Sequence, residues 1–453
     1  MNGALATRAT LLTLFLVNFL NFFDRVIPAV VLEPIRKEFL LDDTMLGLLA
    51  TAFTLVYAVA GIPIGRLTDG VRRTRLLSGG VFIWSALTAA GGAATNFFWM
   101  FLIRLGVGVG EATCAPVANS MIGDLYPAEK RSRALGLFML GLPLGTLAAF
   151  ALGGWLAHEY GWRMPFFVAA VPGVLVALFL LFLPEPVRGA QEIYVVDTSK
   201  PIAHPFRKVM AIKTLWWLTI SGAFFNFAAY SLNTFLPSLM IRYHHASVAE
   251  AGIVGAIVFG VTGLVGLIVG GQIADRLHKS LPKGRLVFGA ISLLLSAPLV
   301  WFGLYQPQGE IVLLTVLVSA GWLLWFMYFV TVLPSVHDVV EPRLRGTAMS
   351  IYFFFQYVLG AGFGTLVTGI LSDYFASAAL QATGAAEMTE PLRAIGLQAS
   401  LGTVVPVSLL LTGVAILFAS RYFVADAEKV SGSSRSTGDL EGEVAVDAQQ
   451  VVN

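Results

Sequence analysis

Gly65-Arg66-Leu67-Thr68-Asp69-Gly70-Val71-Arg72-Arg73 closes one long apolar run, and Gly271-Gln272-Ile273-Ala274-Asp275-Arg276 closes another, 206 residues further on. A second echo pairs Pro127-Ala-Glu-Lys-Arg131-Ser-Arg133-Ala with Glu341-Pro-Arg343-Leu-Arg345-Gly, after the fourth and tenth such runs. Two charged loops that recur in the same order at about half the chain length mark two similar halves.

What the halves are made of follows from composition. Charged residues are 12% of 453 and hydrophobic ones 57%, with a mean hydropathy of +0.78. A spanning helix needs about 20 mostly apolar residues. Runs of that kind predict twelve transmembrane helices at 9–33, 44–65, 76–94, 97–121, 134–157, 163–184, 214–241, 248–274, 285–304, 311–338, 346–372 and 397–421. Barrel strands are short and alternating, and these runs are long and continuously apolar. The expected class is therefore an all-α membrane protein of two pseudo-symmetric six-helix bundles. The expected organisation is 1–184, a linker over 185–213, 214–424, and a disordered tail over 425–453 rich in Ser, Gly and acids.

Of the 29 Lys and Arg residues, 22 fall on one face of this arrangement and five on the other. The bias places both termini in the cytoplasm, with the cell (inner) membrane as the expected location. The first run lacks a basic start beyond Arg8 and a small-residue cleavage site, so it reads as the first span. The one cysteine, Cys114, permits no internal disulfide. The histidines show no metal-ligand spacing, and the glycines of 106–110 follow no strand, which argues against a nucleotide loop. Neither cofactor, metal nor nucleic acid is expected, and the two-half repeat with its recurring loops argues against an enzyme.

Four charges fall inside predicted spans: Asp24 and Arg25 in the first, Arg104 and Glu111 in the fourth. An ionised group in hydrocarbon is costly unless paired or facing water, so such residues mark a pathway by default. Arg104 and Glu111, seven apart, share a helix face. Gly106, Gly108 and Gly110 between them invite close packing of the first or fifth helix. Arg25, about 100° round from Asp24, leaves two readings open: a partner for Glu33 or another acid, or an anchor for substrate. The second half carries no comparable charges. There Asn226, Tyr230 and Asn233 share a face of the seventh helix, Trp322 and Trp325 lie on the tenth with Tyr328 beyond, and Tyr352, Gln356 and Tyr357 lie on the eleventh. Asn226, Tyr230, Asn233, Trp322 and Gln356 are candidate substrate contacts, with aromatic packing as the competing reading. Pro143 and Gly145, with Gly141 before and Gly153-Gly154 after, make the fifth helix flexible or merely closely packed.

The repeated loop Gly-x-Leu-x-Asp, followed by bases, resembles the major facilitator superfamily. It departs from that pattern at Gly70, where a base is usual, and at Arg72, where glycine is usual. The resemblance implies a conformational latch at Gly65, Asp69, Arg72, Arg73, Asp275 and Arg276. Within the superfamily, Asn21-Phe-Phe-Asp24-Arg25, Arg104-Leu-Gly-Val-Gly-Val-Gly-Glu111, Ile122-Gly-Asp124-Leu-Tyr-Pro127 and Leu142-Pro-Leu-Gly145 resemble the Spinster family of lipid transporters. That likeness covers residues 18–165. It implies that the first and fourth helices line a central cavity and that Asp24, Arg104 and Glu111 form one proton- or substrate-coupling cluster; a static ion network gluing helices is the alternative. The implied activity is secondary active transport by alternating access. The substrate is expected to be an amphipathic lysolipid- or sphingolipid-like molecule moved with protons, or alternatively a small organic or sugar acid. The expected partners are that substrate, protons and membrane lipids, the protein acting as a monomer.

Overall fold

The computed structural model describes residues 3–191, 205–281, 283–341 and 344–450, and leaves some helical side chains, including those after Val430, outside the description. The described residues form α-helices and two π-helical segments: α1 (Gly3–Val30), α2 (Leu32–Phe39), α3 (Asp43–Gly70), α4 (Arg73–Gly92), α5 (Phe97–Glu111), α6 (Cys114–Leu125), α7 (Ala128–Met139), α8 (Gly141–Tyr160), α9 (Met164–Leu180), α10 (Pro205–Met210), α11 (Lys213–Tyr243), α12 (Val248–Gly255), α13 (Thr262–Ser280), α14 (Gly284–Leu304), α15 (Ile311–Asp338), α16 (Arg345–Phe355), α17 (Phe363–Thr383) and α18 (Glu390–Gln450). The π segments, Ala256–Val261 and Gln356–Gly362, join α12 to α13 and α16 to α17. Among the described residues nine segments are long and apolar enough to cross a membrane, and α9 is a shorter apolar helix. With α4 and α11 these make the twelve spans that the sequence predicts. The backbone of α18 runs unbroken through the stretch that composition assigns to a disordered tail.

Two spans are broken where the sequence suggests one helix. The fourth divides at Ala112-Thr113, where Thr113 Oγ1 turns back to donate to Gly110 O at 2.8 Å. The three glycines before the break serve close packing, but against α3 and α4 rather than against the first or fifth span. A Cβ on Gly108 would lie 2.8 Å from Phe53 O, and one on Gly110 2.9 Å from Trp84 Cβ. The fifth span divides at Leu140, three residues before Pro143, whose ring removes a helical N–H. A carbonyl there, Phe138 O, is taken by Asn18 Nδ2 of α1 at 2.8 Å. Gly141 and Gly145 then let α8 lie directly on the α1 backbone at Asn18 and Phe19.

The spans alternate in direction. Both ends of the chain, with the loops after α3, α6, α13 and α15, therefore lie at one face, which we term the terminal face. In the first half α1 packs on α8, α4 on α9 and α5, and α3 on α5; in the second α11 packs on α18, α14 on α15 and α18, and α13 on α15. The halves meet along α3 with α17 and along α8 with α12. These crossings are backbone-close from the opposite face to the middle of the membrane, where a Cβ on Gly260 would stand 2.9 Å from Leu147 Cα. A Cβ on Gly154 would stand 2.9 Å from Gly252 Cα, one on Gly47 2.5 Å from Thr365 O, and one on Gly369 would overlap Asp43 O. Toward the terminal face, Gly61, Gly65 and Gly70 of α3, Gly136 of α7 and Gly271 of α13 have open space around them. The bundles are therefore closed together at the opposite face and splayed at the terminal one.

Candidate functional site

A cavity of about 180 Å³ lies between the bundles. Its walls are mostly apolar and aromatic, with Phe22, Val26, Leu49 and Met100 from the first half and Phe225, Phe259, Phe326 and Phe329 from the second. Polar groups are few, as in ligand cavities generally. Arg25, Arg104, Thr54 and Thr146 come from the first half, and Asn226, Tyr230, Asn233, Thr234, Trp322 and Tyr357 from the second.

The four intramembrane charges all sit in the first bundle within electrostatic range of one another, and the direct ion pair among them joins Glu111 to Arg25. Glu111, with 0% exposure, is held by Arg25: Nη2 and Nε of Arg25 donate to Glu111 Oε2 at 3.0 and 3.2 Å. A third donation, from Arg25 Nη2 to Asn21 Oδ1 at 3.1 Å, fixes the guanidinium from one turn earlier on α1. Arg25 thus resolves as the partner of Glu111, while Glu33 pairs elsewhere. Arg104 faces the cavity instead. It lies 4.5 Å over the Phe53 ring and, among the described residues, takes part in no ion pair or hydrogen bond. Asp24 lies behind the cavity wall, 2% exposed, with Thr88 Oγ1 donating to Oδ2 at 3.4 Å and no ion pair among the described residues. The break at Ala112-Thr113 ends α5 at Glu111, two turns beyond Arg104.

The residues that sequence reasoning missed are those that hold these charges. Phe53 underlies both arginines, at 5.2 Å from Arg25 and 4.5 Å from Arg104, and Tyr57 lies 4.4 Å from Arg25. Their signal was an aromatic pair four residues apart on α3. Asn21 had the same i, i+4 relation to Arg25; Thr88, on the third span, carried no signal.

Of the second-half candidates, Asn226, Tyr230, Asn233 and Trp322 line the cavity. Gln356 is buried beside it instead, exchanging contacts with Asn226: Asn226 Nδ2 donates to Gln356 O at 3.2 Å, and Gln356 Nε2 to Asn226 Oδ1 at 3.4 Å. Trp325, Tyr328 and Tyr352 belong to the packed interior, where the two tyrosine hydroxyls bond at 2.8 Å.

The opposite face is sealed by a buried ionic cluster between the bundles. Arg242, at the end of α11, donates to Glu33 Oε2 at 2.6 Å and to both oxygens of Asp43 at 2.7 and 2.9 Å. Glu33 also accepts from Arg36 at 2.8 Å, and Arg36 reaches across to Glu390 at 2.6 Å. Ser372 donates to Asp43 at 2.6 Å, and Asp373 of α17 accepts from the Thr44 N–H and hydroxyl at 2.8 and 2.6 Å. A carboxylate of one bundle thereby caps the first turn of a helix in the other.

The terminal-face loop behaves differently. Asp69 and Arg72 are exposed and Gly65 meets nothing. Arg73 is fully buried but works within its own bundle, donating to Asp124, Glu185 (2.8 Å), Ser120 (2.9 Å) and Pro186 O (2.7 Å). Arg188 caps the end of α3 through Thr68 O and Val71 O. In the second half Arg276 is exposed, and the Asp275 side chain lies outside the described residues.

Two bundles around a midplane cavity, closed at one face and parted at the other, define a membrane transporter rather than an enzyme. The profile of the Major Facilitator Superfamily matches residues 14–365. An MFS-type efflux pump of Mycolicibacterium smegmatis is 30% identical over 80% of this chain and 83% of its own. A sphingosine-1-phosphate transporter of Danio rerio is 27% identical over 91% and 84%. A bacterial homolog to the human lysosomal transporter Spinster, solved in an inward-facing and unoccupied conformation, superposes with a TM-score of 0.79 at 28% identity, over 94% of this chain and 98% of that one. The chain belongs to the major facilitator superfamily and, within it, to the Spinster family.

Proposed function

We propose that the protein is a proton-coupled secondary carrier that moves an amphipathic, lysolipid- or sphingolipid-like substrate by alternating access. The observation that carries this reading is Arg104, a cavity-facing guanidinium that among the described residues is in no ion pair, set in a mostly apolar and aromatic chamber. A lone cation in low dielectric favours an anionic group strongly, and the surrounding rings favour hydrocarbon. The similarity to a sphingosine-1-phosphate transporter supports the same substrate class.

Proton coupling rests on the two buried carboxyls. Each has one buried oxygen without a hydrogen bond among the described residues, but Glu111 is ion-paired with Arg25, whereas Asp24 has only one long hydrogen bond. Asp24 is the group that exchanges the proton, and Arg104 communicates the arrival of the anion. The terminal face is the cytoplasmic one, by the excess of cations in its loops, with both termini inside and the cell membrane as location. Residues 1–184 and 214–424 rock as two units joined by 185–213, with 425–453 as a tail and the monomer as the working form. The loop residues Gly65, Asp69 and Arg72, with Asp275 and Arg276, latch the cytoplasmic side when the halves close there, while Arg73 braces its own bundle.

The modest cavity volume favours the second reading, a small organic or sugar acid held entirely within the chamber. One experiment separates the two. Uptake into vesicles with an imposed pH gradient is compared for a lysolipid and a sugar acid, alongside binding to purified wild type and Arg104→Ala. If Arg104→Ala binds and moves every tested lysolipid and organic anion as the wild type does, the anion-site reading fails.

A further inference from the structure

Asn226 anchors the π segment Gln356–Gly362 through the Gln356 carbonyl, at 3.2 Å. The wide turns of a π segment loosen the regular i→i−4 ladder, and such segments concentrate at moving or functional sites. The approach is close, since a Cβ on Gly360 would lie 2.8 Å from Asn226 Cβ and 2.5 Å from Ala223 O. The residue after Gln356 is Tyr357, whose ring stands 5.7 Å from that of Tyr57 across the bundle boundary and 6.4 Å from that of Tyr230. All three rings are half-buried. Tyr57 lies about four turns along α3 from its start at the sealed face. One turn further on, Gly61 has nothing within 4 Å. The tyrosines therefore form the rim of the cavity on the side where the bundles part. Tyr57 is also the ring on which Arg25 stacks, at 4.4 Å.

We propose that Tyr57, Tyr230 and Tyr357 form an aromatic gate at the terminal-face rim of the cavity, and that Asn226 is the positioning residue that sets it by holding the π segment from which Tyr357 projects. In this structure the Tyr57 and Tyr357 rings are in contact and the gate is drawn shut; opening slides the π segment away from α3. The Arg25–Glu111 pair, stacked on Tyr57, steadies the half of the gate carried by the first bundle. Gate closure depends on ring area rather than on the hydroxyls.

The test is the rate at which a charged, membrane-impermeant thiol reagent, applied from the terminal face, modifies a cysteine placed at Ala50, a cavity-lining position about two turns behind Tyr57, in a Cys114→Ala background. With Tyr357→Ala and with Asn226→Ala the rate is expected to rise roughly tenfold, as the closed population is lost. Tyr357→Phe retains the ring and is expected to match the parent, and Tyr357→Trp to slow the reaction. Where Tyr357→Ala does not accumulate as folded protein, Tyr57→Ala reports the same gate from the other bundle. Equal rates for the alanine variants and Tyr357→Phe overturn the gate. A fast Tyr357→Ala beside an unchanged Asn226→Ala leaves the rings as gate and overturns the positioning role. The readout is independent of which substrate is carried, so its failure is distinct from failure of the transport reading.

Discussion

The two faces of the molecule use the same chemistry to different ends. At the opposite face, arginines and carboxylates meet across the bundle boundary: Arg242 with Glu33 and Asp43, Arg36 with Glu390. At the terminal face, Arg73 meets Asp124 and Glu185 inside one bundle, and no ion pair among the described residues crosses there. An inter-bundle ion pair must break for the halves to part, and an intra-bundle pair travels with its half. In the proposed alternating-access cycle, conformation is set at the opposite face, and the terminal-face cluster keeps the first bundle rigid as it moves.

The largest test of that contrast is Arg242→Ala. Removing the guanidinium leaves buried Asp43 without a counter-ion among the described residues and Glu33 with Arg36 alone, which costs about 3–5 kcal/mol. The expected outcome is a strong fall in thermal stability together with labelling of cavity cysteines from the opposite face; retained sealing would break the contrast. Arg73→Ala removes a buried cation whose partners are partly exposed, at about 2–3 kcal/mol. It is expected to lower the melting temperature without changing the side from which the cavity is labelled. Gly154→Ala adds a methyl 2.9 Å from Gly252 Cα, away from the ionic cluster, at an overpacking cost of about 1–3 kcal/mol. It is expected to shift labelling toward the opposite face with the ionic cluster intact, which sharpens the contrast by separating packing from charge.

The smallest effect concerns an exposed pair beside the seal. Glu38 accepts from Arg163 at 2.6 and 2.8 Å and from Trp162 at 2.7 Å, and these donors lower its pKa to about 2. A depressed carboxylate stabilises the fold above its ordinary value of 4.5, and the contribution is lost as pH falls through about 2. Both side chains are well exposed, so screening leaves less than about 0.5 kcal/mol. Stability curves of Glu38→Gln and the wild type are expected to converge as pH falls through that window, with a barely detectable gap at neutral pH.

Much of the fold was readable because the bilayer imposes it. Apolar runs of sufficient length must be helices with internal hydrogen bonding, and their alternation fixes which loops share a face. The helix breaks at Thr113 and Leu140 were less readable, since each depends on a contact with a neighbouring span, Gly80 for the first and Asn18 for the second. The candidate site was readable as a set of residues but not as a set of bonds. Arg104 and Glu111 share a helix face, yet Glu111 is paired with Arg25, 86 residues away in sequence. Helical periodicity fixes which residues share a face, and it is silent on which neighbouring helix that face meets. In the second half the same silence hid the exchange between Asn226 and Gln356 and the packing of Tyr328 on Tyr352.

The sequence by itself determined that this chain is a two-fold repeated, twelve-span membrane protein with its intramembrane charges concentrated in the first half, because burial of the backbone in hydrocarbon and the placement of cations in loops are local requirements. Only the tertiary structure decided which charges neutralise one another, which one is left facing the cavity, and which face is shut. Those outcomes depend on contacts between residues up to 354 positions apart, such as Arg36 with Glu390. In a low-dielectric interior an ångström of approach between such residues decides whether a charge is paired or free.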